Sequence, residues 1–62
     1  MMTKIDVCWV YSSALSSIGA FEKWKRFYSV DKAKAYIEKI SVRKNFLFVR
    51  YIVVNGKVVE HL

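Results

Sequence analysis

Sixty-two residues, 55% of them hydrophobic and ten of them aromatic, make one small folded domain over 1-62 and exclude a disordered chain. Eleven basic residues against five acidic ones leave a net charge of +6, which points to anionic partners. A single cysteine and a single histidine exclude an internal disulfide and a four-ligand zinc site, so no metal or cofactor is expected.

In chain order, Ile5–Ser12 is rich in β-branched and aromatic residues and predicts a strand. Ser12–Ala20 is small, serine-rich and closed by Gly19, a turn or short loop. Phe21–Tyr28 has the length of a second strand that pairs back onto the first. Ala33, Tyr36, Ile37 and Ile40 then fall at i, i+3, i+4 and i+7, one face of a helix. Ser29 suits its N-cap and Asp31 its first turn, while Lys39, Arg43 and Lys44 favour its C-terminal end. Glu38 is one turn from Lys34 and can pair with it.

Phe46–Val54 predicts a third strand and Lys57–Leu62 a fourth, joined by Asn55-Gly56. That dipeptide signals a two-residue type I′ hairpin turn. The register then pairs Val54 with Lys57, Ile52 with Val59 and Arg50 with His61. Unbroken alternation puts Leu47, Val49, Tyr51, Val53, Val58, Leu62 and Glu60 on one side. Phe48, Arg50, Ile52, Val54, Lys57, Val59 and His61 fall on the other. The first set is the more apolar and is expected under the helix. The fold class is therefore α+β: a ββαββ order, with a four-stranded, mainly antiparallel sheet and one helix on one face.

One helix cannot cover both sides of four strands, so one sheet face stays open. With Phe27 turned to the core, alternation places Trp24, Arg26 and Tyr28 on that open face with Phe48, Arg50 and Lys57. Aromatic rings among cations suit nucleic acid, where rings stack on bases and cations hold phosphates. The same rings are what a small core needs. Phe48, Ile52, Val54 and Val59 also form an apolar patch of the kind that marks an interface, either with another protein or in a homodimer.

Residues 23–44 hold eight cations against Asp31 and Glu38, and so carry the whole excess charge. Arg43 and Lys44 add an adjacent pair in the loop after the helix; compensation of the helix dipole explains them equally well. Catalysis has little to work with. Cys8 and His61 form a dyad only if their strands adjoin on one face, and no third group is evident. Gly19 and Gly56 make turns rather than a phosphate loop. The helix could lie on a membrane surface, but its apolar face is needed by the sheet, so no membrane partner is expected. No run of eighteen apolar residues occurs, and the first residues lack the features of a signal peptide. With its free thiol, the chain is expected in the cytoplasm.

No motif of family-level specificity is present. The expected function is that of a non-enzymatic binding protein that occupies a surface of an anionic partner: an acidic protein or a nucleic-acid-handling complex. Lone domains of this size are typical of phage and mobile-element inhibitors of host machinery. The alternative is a small homodimer that binds DNA or RNA directly. The expected contact residues are Trp24, Arg26, Tyr28, Arg43, Lys44, Phe48, Arg50 and Lys57.

Overall fold

A computed structural model describes residues 3–12 and 19–62; the predicted turn between the first two strands lies, over 13–18, outside the described residues. Four antiparallel strands, β1 (Ile5–Ser12), β2 (Ala20–Phe27), β3 (Phe46–Val54) and β4 (Lys57–Val59), form one sheet in the order β2-β1-β3-β4. Helix α1 (Val30–Ser41) lies between β2 and β3 in the chain and covers one side of the sheet.

Each element has a local cause. The Ser29 hydroxyl accepts the Lys32 N–H at 3.4 Å, with Ser29 itself in extended geometry, so the predicted N-cap is in place. Ala33 and Ile40 are buried on the helix face turned to the sheet, with Tyr36 and Ile37 half-buried beside them. A twelve-residue helix is marginal alone, and this packing rather than propensity holds it. Asn55 and Gly56 take φ of 50° and 84°, the two left-handed positions of a type I′ turn. Asn55 also ties that turn to the start of β1, donating its N–H to the Lys4 carbonyl and accepting the Lys4 N–H on Oδ1, both at 2.9 Å.

The hairpin register is as expected: Val54 pairs with Lys57 and Ile52 with Val59, although β4 ends at Val59 and no pairing reaches His61. The face assignment is not. Ile52, Val54 and Val59 join Ile5, Val7 and Ala33 in the core under the helix, with Phe27, Ile37, Val49 and Leu62 packed against them. Tyr51, Val53 and Val58 therefore face away from the helix. Lys57, opposite Val54, is on the helix side rather than the open one.

Two irregularities in the β1–β3 ladder explain the reversal. Cys8 lies opposite Tyr51 but Trp9 opposite Val49, so Arg50 is an extra residue. Val10 lies opposite Phe48 but Tyr11 opposite Phe46, so Leu47 is a second one. Each bulge reverses the alternation once. Phe46, Val49, Ile52 and Val54 can then all face inward while Phe48 and Arg50 stay on the open side, as expected for those two. Strict alternation would have forced Arg50 inward together with Ile52.

Deletion of Arg50 should accordingly remove the first of these two bulges and leave a folded chain by circular dichroism. Deletion of Val49 should unfold the protein, because it carries the arginine to the inward position opposite Trp9. Ile40→Ala should lower the unfolding free energy by about 2–5 kcal/mol in a denaturant titration, as for other buried truncations. Val42→Ala, at a site 83% exposed, should change it by less than about 0.5 kcal/mol.

Candidate interaction surfaces

The open side of the sheet roofs its own central strand. Cys8 and Val10 point away from the helix, yet both are buried. Trp24 and Tyr51, from the strands on either side of β1, lean together over Cys8, with ring centroids 6.3 Å apart and planes within 15°. Such a pair contributes about 0.5–1.5 kcal/mol beyond its area. One position along, Glu22 and Arg50 form an ion pair across Val10. At the other end, Arg26 grips Asp6 through two hydrogen bonds of 2.7 and 3.3 Å.

These pairs change the meaning of the expected contact residues. Arg26 and Arg50 do lie on the open side, but each is matched to a carboxylate of the same face. Trp24 and Phe48 are there too and are about half exposed. Tyr28 follows the end of β2 and lines a depression of about 300 Å³ with Arg26, Phe27, Ser29 and Lys32. The expected Lys34–Glu38 ion pair is not formed; among the described residues the ion pairs are Asp6–Arg26 and Glu22–Arg50.

The cations without carboxylate partners gather on the helix side. Lys25 Nζ sits 5.9 Å from the centre of the Tyr36 ring, and the Arg43 guanidinium 5.7 Å from that of Trp9. The two rings are joined by a 3.0 Å hydrogen bond donated by Trp9 Nε1 to the Tyr36 hydroxyl. Lys23 lies opposite Trp9 in the ladder. Lys32 and Lys39, at i−4 and i+3 from Tyr36, share its flank of the helix. Lys23, Lys25, Lys32, Lys39 and Arg43 thus line a seam between β2 and α1, over rings that are themselves largely covered. Lys44 is exposed just beyond it.

Of the run Lys23-Trp24-Lys25-Arg26-Phe27, Lys23 and Lys25 therefore lie on the helix side with inward Phe27, and exposed Trp24 lies on the open side with the paired Arg26, while exposed Phe21 is on the side of the lysines. Among the charged residues within the strands, Asp6, Glu22, Arg26 and Arg50 occupy the open side, and Lys23, Lys25 and Lys57 the helix side. Lys23, Lys25, Lys32 and Lys39 were not among the expected contacts. The alternation that turns Phe27 inward also turns Lys25 and Lys23 to that side, and the helical spacing of Lys32, Tyr36 and Lys39 does the rest.

The thiol and the imidazole do not meet. Cys8 is under Trp24 and Tyr51, whereas His61 lines a depression on the helix side with Lys34, Ile37, Glu38, Ile52 and Leu62. Burial, helped by the Glu22 carboxylate, pushes the Cys8 thiol up from its ordinary value of 9.0, against a smaller opposing pull from Arg50. No group of three or more possible metal ligands occurs among the described residues, nor any helix long and apolar enough to cross a membrane. No family model, curated protein or solved structure matches the chain.

Because the folded state holds the Cys8 proton to higher pH than the unfolded chain, the associated stability is complete below about pH 9 and is lost as pH rises through the folded value. The stability advantage of the wild type over Cys8→Ala in urea should thus be flat at neutral pH and shrink in alkaline buffer. A constant difference across that range would contradict the burial of the thiol.

Proposed function

We propose that this chain is a non-enzymatic binding protein of the cytoplasm that docks the seam between β2 and α1 on an anionic macromolecular surface. The single observation that carries this reading is the placement of the unpaired charge. The open-side arginines are neutralised by Asp6 and Glu22, while Lys23, Lys25, Lys32, Lys39 and Arg43 are left to act together on one flank. Clustered charge of one sign steers association and rewards a partner of the opposite sign.

The partner best suited to it is an acidic protein or a protein of a nucleic-acid-handling complex, occupied and blocked as a phage or mobile-element inhibitor would block its target. Base recognition has less support, because the Trp9 and Tyr36 rings beside these cations are largely covered and the exposed Trp24, Phe48 and Tyr51 lie on the other side of the sheet, which leaves Phe21 as the exposed ring on the Lys23 side. Direct DNA or RNA binding by a homodimer is the second reading. It rests on the same five cations, used on phosphates.

A pull-down from lysate, with and without nuclease, separates the two. A partner that survives nuclease supports protein docking. Direct nucleic-acid binding instead gives a log–log salt slope of about −4 to −5 if all five cations contact phosphates. Lys25→Glu combined with Lys39→Glu should abolish binding by either route with the circular dichroism spectrum unchanged. Arg26→Glu with Arg50→Glu should leave most of it. Loss of binding only in the second pair would move the site to the open face and overturn the proposal.

A further inference from the structure

The side of the sheet away from α1 joins two properties. It exposes apolar surface, with Trp24 53%, Phe48 52% and Val58 66% accessible, and Tyr51 and Val53 between them. An apolar area of that breadth on a small protein marks an interface. It is also electrically balanced, since Asp6 is paired with Arg26 and Glu22 with Arg50, in a chain that otherwise carries +6.

We infer that this face binds a second copy of the chain, sheet against sheet about a two-fold axis. An acidic partner is recognised by excess positive charge, and that lies on the helix side. A copy of the same chain meets the opposite requirement. It carries the same +6 and can approach closely only through a face from which that charge is absent. The aromatics left outside then find their complement in one another, in the packing of two sheets roughly 10 Å apart.

The area sets the strength. The eight- and nine-residue strands β1 to β3 span roughly 25 Å by 14 Å, and the three-residue β4 adds about 10 Å by 5 Å, or about 400 Å² on each copy. About 800 Å² in total lies below the usual size of a stable specific interface, in the range of weak, transient ones. The dimer is therefore weak and exchanging, populated as concentration rises, and it leaves both basic seams on the outside. Association of this kind is a common support for a domain with so small a core.

Sedimentation equilibrium of the full chain, from low micromolar to millimolar concentration, should show the mass rise from one chain towards two. Over the same range the fluorescence of exposed Trp24 should shift to the blue, with Trp9, already buried, as the constant background; Trp24→Phe should remove the shift. Phe48→Glu and Val58→Glu should each raise the dimer dissociation constant by at least about tenfold, while Lys25→Glu on the other side should not. Circular dichroism checks the fold of each variant. If a glutamate variant does not fold, the wild-type mass and emission decide. A chain that stays monomeric throughout overturns the inference. So does a dimer whose formation leaves the Trp24 emission unmoved, or one that folded Phe48→Glu and Val58→Glu variants form as tightly as the wild type.

Discussion

Arg50 stands in the middle of an apolar strand, and the sheet must keep its guanidinium out of the core without losing the β-branched residues around it. Strict alternation cannot do both, because it places Arg50 on the same side as Ile52 and Val54. The extra residue opposite the Cys8–Trp9 step separates them. Downstream, Ile52 and Val54 go under the helix; upstream, Val49 does; and Arg50 is left outside, where Glu22 meets it. Burying an unpaired guanidinium costs far more than the distortion of one bulge. Both faces of the molecule follow from that choice.

The central strand shows what the arrangement achieves. β1 is hydrogen-bonded on both edges and holds most of the fully buried side chains. On one side it is covered by α1, and on the other by side chains reaching across it from β2 and β3. The stacked pair over Cys8 and the ion pair over Val10 are cross-strand contacts of the ordinary kind. Their positions substitute for the second layer that a chain of this length cannot supply. The covering groups differ in chemistry from the core: they are neutral as a set, half exposed, and rich in rings.

Much of this was legible in the residues. β1, β3, the capped helix and the Asn55-Gly56 turn are where pattern, cap and turn chemistry place them, because each depends on residues within a few positions. The faces of β3 and β4 were not legible, since a bulge is a tertiary outcome: nothing local to Arg50 announces that it will have no residue opposite. The apolar count favoured Leu47, Val49, Tyr51, Val53, Val58 and Leu62 for the interior, and of these Val49 and Leu62 pack against the core. The candidate surface was half legible. Its charge was visible in residues 23–44, but the partners of Arg26 and Arg50 come from sequence-distant strands, and only the fold shows that those two charges are already met.

The edge position of β2 gives the basic seam another consequence. An eight-residue edge strand offers unpaired N–H and C=O groups along its outer side, the usual starting point for open-ended stacking of chains into fibrils. Here it carries the unpaired Lys23 and Lys25 at alternate positions on one side, so a second β2 laid alongside would bring cation against cation at strand spacing. The lysines of the proposed docking seam would thereby also act as gatekeepers against self-templated aggregation, and neutralising them should shorten the time the protein survives in concentrated solution.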